Sequence, residues 1–176
     1  MEKDIAKALR FTLISLLIFS LLYTLPLQII PWQILESITA HSTAILANLS
    51  HHIYTVIEQE SMIYIQGGIF TIAIIPLCTG YIEFAVLVAF ILASEDRSLT
   101  YRIKGVLGAV IFTYIANILR IYGTILATNT LTRTEIDVLH NIGFKVLLFV
   151  VVAGYYAVWY VGIPKLLHTH KYWSMR

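Results

Sequence analysis

The chain has 176 residues, 59% of them hydrophobic and 12% charged, with a mean hydropathy of +0.80, a balance that excludes an ordinary soluble domain and reads as an integral membrane protein. A net charge of +2 with no basic face argues against nucleic-acid binding. The single cysteine excludes a disulfide framework and any multi-cysteine zinc or iron–sulfur centre.

In chain order, Lys3, Lys7 and Arg10 precede an apolar run over 11–30, long enough to span a bilayer and too long for the core of a typical signal peptide, so an uncleaved anchor helix is expected. From Trp32 to Glu60, Leu35, Ile38, Ile45, Leu49, Ile53 and Val56 recur at helical spacing among Glu36, His41, Asn48, His51 and His52. That pattern predicts an amphipathic helix over 32–60, broken at most once, lying on the membrane or capping the bundle. Residues 62–75 are rich in β-branched side chains around Gln66-Gly67-Gly68 and predict a short hairpin, the alternative being that Ile69–Ile75 begins the next span.

A second apolar segment covers 76–93 and ends in the charged stretch 95–104. A third covers 103–127, with Gly105, Gly108, Ala109, Ala116 and Gly123 offering small surfaces for close helix contact. After a polar turn over 128–141 a fourth covers 142–163, where Tyr155, Tyr156, Trp159 and Tyr160 read as an interfacial aromatic belt. The expected fold is an all-α membrane bundle of about four spans, a single domain over 1–176 with an outer amphipathic segment.

The positive-inside rule orients it. The N-terminus, the loop 97–104 and the tail with Lys165, Lys171 and Arg176 are basic, whereas 31–75 holds no Lys or Arg, so both termini are expected in the cytoplasm and 31–75 and 128–141 outside. Cys78 then falls at the outer end of the second span, Arg120 about 10 Å below the outer end of the third, and His140 where the fourth re-enters.

These residue types make a coherent acyl-transfer site. A thiolate is a nucleophile, favoured by a cationic neighbour or a helix N-terminus. Histidine can take the thiol proton and return it to a leaving amine, and arginine can hold an oxyanion or a substrate carbonyl. Each has a blander reading: a membrane cysteine near a helix end is more often packing than reactive, and an interfacial histidine more often meets headgroups. An arginine inside a span is costly and marks function by default, although an ion pair with Glu83 at matching depth would also explain it.

Thr113, Asn117, Arg120 and Thr124 share one face of their helix. Asn117 there braces Arg120 or binds substrate backbone, and interhelical hydrogen bonding accounts equally well for the two threonines. His41, His51 and His52 lack an acidic or cysteine ligand at useful spacing, so no metal is expected. His168 and His170 belong to the basic tail, and no cofactor is implied.

Pro76-Leu77-Cys78-Thr79-Gly80 before an apolar helix, then Ala116-Asn117-Ile118-Leu119-Arg120-Ile121, then Asp137-Val138-Leu139-His140, resembles the exosortase/archaeosortase family of membrane cysteine transpeptidases over roughly 62–163. The chain's shortness leans toward the compact archaeosortase-like members. The resemblance implies cleavage of C-terminal tripartite sorting signals on secreted or surface proteins, through a thioester on Cys78. His140 would be the general acid/base, Arg120 the oxyanion or substrate stabiliser, and Asn117, Glu83 and Thr79 supporting or substrate-contacting residues. The acyl group would pass to an amine-bearing acceptor, a membrane lipid headgroup, at the outer face of the cell membrane. The rival readings are a helical-bundle component, such as a transporter subunit or assembly factor with Arg120 and Glu83 as a structural pair, and a non-catalytic binder of sorting-signal helices.

Overall fold

The computed structural model describes residues 2–29, 31–49, 53–59, 62–67, 70–128 and 130–162. Their order is α1 (Glu2–Ile29), α2 (Trp32–Asn48), β1 (Tyr54–Gln59), β2 (Met62–Gly67), β3 (Phe70–Ile74), a 3-10 turn (Pro76–Cys78), α3 (Tyr81–Ala93), α4 (Leu99–Ala127), α5 (Arg133–Val138), a π-helical turn (Leu139–Gly143) and α6 (Phe144–Val161).

α3 is the axis of the helical part. Its buried residues Ala85, Leu87, Val88, Ala89, Ile91 and Ala93 point to every side, as they must in a helix packed against α1, α4 and α6. The outer helices turn large apolar residues outward instead: Leu9, Leu13, Leu16 and Leu17 on α1, and Ile103, Leu107, Ile111 and Leu119 on α4. Such continuous exposed apolar faces are stable against lipid and not against water. Asp4–Thr24 and Leu99–Ala127 are long and apolar enough to cross a membrane, and Tyr81–Ala93 and Val146–Val161 are apolar but shorter.

The expected amphipathic helix ends early, at Asn48, because its side chain turns the chain into a strand: the amide oxygen accepts from Tyr54 N at 2.7 Å and the amide nitrogen donates to Tyr54 O at 3.2 Å. β-Branched Thr55, Val56 and Ile57 then extend it. β1 joins the expected β2–β3 hairpin in an antiparallel three-stranded sheet of order β1-β2-β3, with Val56 opposite Ile65 and Ile65 opposite Ile72. The fold is therefore mostly helical with a small sheet rather than all-α. Sheet, α2 and the far end of α4 share a core of Ala40, Ala44, Ala47, Tyr54, Ile63, Ile65, Ile74, Ile121 and Ile125.

α2 buries its small face, Thr39, Ala40, Thr43, Ala44 and Ala47, and exposes Ile34, Ile38 and Ile45. Small residues let the backbones approach, as in helix contacts within membranes.

At the opposite end of the bundle, the turn between α3 and α4 is tied to α6. Arg97 donates to Tyr160 O at 2.6 Å, Tyr101 Oη to Trp159 O at 2.6 Å, and Tyr155 Oη to Gly105 O at 2.8 Å. A Cβ on Gly105 would lie 2.3 Å from Trp159 Nε1, so the ring packs over a position only glycine can occupy. Trp159 is buried with Leu87, Ile91 and Ala109. The expected aromatic belt thus acts as an internal clamp, because Gly105 and Gly108 open a surface that admits the rings. The connection before α6 is not an open turn either: Thr132 and Glu135 form a capping box that starts α5.

Candidate active site

Cys78 closes the 3-10 turn instead of opening the next helix. Pro76 presets the turn, Cys78 N donates to Ile75 O at 2.7 Å, and Thr79 N to Pro76 O at 3.1 Å. The buried Thr79 hydroxyl also donates to Pro76 O, at 2.7 Å, so Thr79 shapes the turn. Gly80 follows with φ +75° and is the N-cap of α3, a left-handed conformation that a side chain resists.

Asn117 fixes this turn to α4. It is fully buried and its Nδ2 donates to Cys78 O at 2.6 Å. Gly80 lies flat against it: a Cβ there would come within 3.0 Å of Asn117 Cβ and 3.1 Å of its Cγ. Asn117 therefore braces the cysteine backbone rather than Arg120. Its Oδ1 is buried and has no hydrogen-bond partner among the described residues. The cysteine itself is half-buried against the core shared by α2, the sheet and α4.

The Gly80–Asn117 contact gives the level of the other residues on these two antiparallel helices. Arg120 is three residues further along α4, about 4.5 Å beyond Asn117, and Glu83 is three residues into α3, about 4.5 Å the other way. They are about 9 Å apart along the axis, and among the described residues no ion pair or hydrogen bond joins them. The expected Glu83–Arg120 pair is absent because α3 starts at Tyr81, not Pro76, which shifts Glu83 toward its N-terminus. There Glu83 lies in the first turn, where the helix dipole favours an acid. Arg120 is half-buried, and its guanidinium has no partner among the described residues.

The two threonines do not bridge helices. Thr113 Oγ1 donates to Ala109 O at 2.7 Å and Thr124 Oγ1 to Arg120 O at 3.1 Å, both within α4. The backbone of His140 lies in the π-helical turn Leu139–Gly143, a distortion common at functional sites, and its side chain lies outside the described residues, as do His51, His52, His168, His170 and the basic tail. Surface clefts of ≈ 550 Å³ between α2 and the β1–β2 end and ≈ 870 Å³ between α1, the 94–96 turn and α6 are lined by neither Cys78 nor Arg120.

One buried polar residue of α2 is not singled out by the sequence. Glu36 is only 6% exposed, on the small face of α2 that packs on the turn and α4. Burial raises its carboxyl above the ordinary value of 4.5. Its signal was the run Glu36, Thr39, Ala40, Thr43, which marks a face of small residues with an acid among them.

A family model described as transmembrane exosortase (Exosortase_EpsH) matches residues 3–158. The chain belongs to the transmembrane exosortase family. No curated protein and no solved structure matches it. Membership puts this exosortase in a class of membrane transpeptidases of protein sorting, and the match takes in the braced cysteine turn, the Asn117–Arg120 segment of α4 and the π-helical turn of the exosortase.

Proposed function

We propose that this exosortase is a cysteine peptidase and transpeptidase of the compact archaeosortase-like kind. It cleaves the C-terminal sorting signal of secreted or surface proteins and transfers them to an amine-bearing lipid headgroup. α1, α3, α4 and α6 are its spans, with both termini in the cytoplasm and Cys78 toward the outer face of the cell membrane. The basic residues at 97–104 and the lack of Lys or Arg over 31–75 support that orientation.

The observation that carries the reading is the 2.6 Å bond from Asn117 to Cys78 O. It holds the chain's one thiol at a fixed level, with Arg120, which has no partner among the described residues, one turn beyond Asn117 on α4. Cys78 Sγ attacks the scissile carbonyl, and the charged donors of Arg120 hold the oxyanion. His140 takes the thiol proton and gives it to the departing amine, leaving a thioester. The amine of the acceptor then attacks the thioester and frees Cys78. The bundle-component alternative rested on a Glu83–Arg120 pair, which is not formed among the described residues.

The test co-expresses the full chain with a protein bearing a C-terminal motif, apolar helix and basic end from the same genome. Cys78→Ala is expected to abolish processing with insertion intact, and the parent to yield an acyl-enzyme mass adduct on Cys78. Continued trimming by Cys78→Ala would remove the thiol mechanism.

A further inference from the structure

Resting on that reading, we propose that Glu36 forms, with Asn117 Oδ1, the subsite for the amine: the leaving amine in the first half-reaction and the acceptor's ammonium in the second. The placement comes from α2. Trp32, one turn before Glu36, packs edge-on against Tyr81 at a centroid distance of 5.2 Å. Ala40, one turn after it, belongs to the core that Cys78 packs against. Glu36 lies between these contacts on the buried face, turned away from Ser37, whose hydroxyl donates to Glu58 at 3.0 Å.

Its chemistry is that of a receptor left open. Glu36 is 6% exposed and makes no hydrogen bond or ion pair among the described residues. Burial disfavours the ionised form and raises the carboxyl above its ordinary value, and a cation seated beside it would offset that cost. The stretch 31–75 contains no Lys or Arg, the strands packed on α2 carry no His, and His41 of α2 is exposed with its Nδ1 on Ser37 O at 2.9 Å. The titratable groups on the packed elements are Tyr54, Glu58, Tyr64, Cys78, Tyr81 against Trp32 and, on α4, Tyr101, Arg102, Lys104, Tyr114, Arg120 and Tyr122. Arg102 is engaged with Leu92 O at 2.6 Å, and Arg120 makes no ion pair among the described residues.

Two acceptors thus await donors, the Glu36 carboxyl and the buried, unpartnered Asn117 Oδ1, while Arg120 offers donors without an acceptor. A scissile amide presents both needs, oxygen to the arginine and nitrogen to the acceptors. In the transfer step the nitrogen sheds two protons on becoming an amide. One leaves to solvent as the free amine forms at the carboxylate. The nitrogen lone pair then makes the C–N bond as the C–S bond breaks, and the second proton ends on the Cys78 sulfur.

The experiment reads occupancy rather than processing. The full chain in lipid nanodiscs is labelled at Cys78 with iodoacetamide in the presence of ethanolamine, a small primary ammonium, or ethylene glycol, its uncharged analogue. Ethanolamine is expected to slow labelling several-fold in the parent, less in Glu36→Asp and not in Glu36→Gln, and ethylene glycol to slow none. Equal protection in the parent and Glu36→Gln, or none in the parent, overturns the assignment. The comparison of the two ligands in the parent decides alone if the Gln variant does not fold. Protection in a protein whose Cys78→Ala variant still processes substrate would leave the ammonium site standing and remove the transpeptidase reading.

Discussion

Asn117→Ala isolates the bond on which the site depends. Removing the amide leaves Cys78 O without its donor, a loss of about 1–3 kcal/mol for a fully buried acceptor and toward the low end for this part-buried bond. The deletion also removes Oδ1, which is buried and unpartnered, so part of that cost is returned. The net destabilisation is expected to be about 1–2 kcal/mol, within the margin that a folded domain survives. The effect on rate should be larger than the effect on stability. A nucleophile displaced by about 1 Å can lose about a hundredfold in rate, so processing should fall by about tenfold to a hundredfold. Because the chain has one cysteine, a thiol-reactive fluorophore in a thermal ramp reports on this turn alone, and processing of a co-expressed sorting-signal protein gives the rate. Asn117→Asp, ionised or with its lone proton elsewhere, sets oxygen against oxygen and should be worse than alanine. If both variants process at the parental rate with unchanged thiol exposure, Asn117 does not position the nucleophile.

Gly80→Ala should destabilise by about 1–2 kcal/mol for the left-handed backbone alone. Its Cβ would also press within 3.0 Å of Asn117, which has no room to withdraw; a melting temperature equal to the parent's would contradict this. Arg120→Lys should lower processing at least about tenfold, because an ammonium does not reproduce a planar fork of donors, whereas Glu83→Gln should stay near the parental rate. Equal losses in the two would reinstate a Glu83–Arg120 pair. Hydrogen bonds from the Thr132 backbone and side chain hold Glu135 below its ordinary 4.5. Its support of α5 is therefore full above that value and lost as pH falls through the lowered folded value. Amide exchange over 133–138, corrected for intrinsic rates, should differ between parent and Glu135→Gln at neutral pH and converge in acid; a difference independent of pH would refute the carboxylate's role.

Much of this protein is written locally along its chain. Runs of apolar residues specify the helices α1, α3, α4 and α6, because transfer from water to lipid depends on composition over a turn-by-turn window. The β-branched stretch 62–75 likewise specifies its hairpin. Cys78, Asn117 and Arg120 stood out because polar groups inside apolar segments are costly wherever the helices lie.

What the tertiary structure decided is how those segments register against one another. Counting from segment ends put Glu83 level with Arg120, but the left-handed Gly80 delays α3 to Tyr81, and the Asn117 contact then sets the two charges about 9 Å apart. The amphipathic pattern of 32–60 carried two errors of the same origin. Asn48 ends the helix through bonds to Tyr54 that helical periodicity does not contain. Against lipid, the large apolar face can stay outside while the small face packs inward, which buries Glu36. Hydropathy records how much a segment avoids water; which face meets protein depends on the partner surface, and only the fold supplies it.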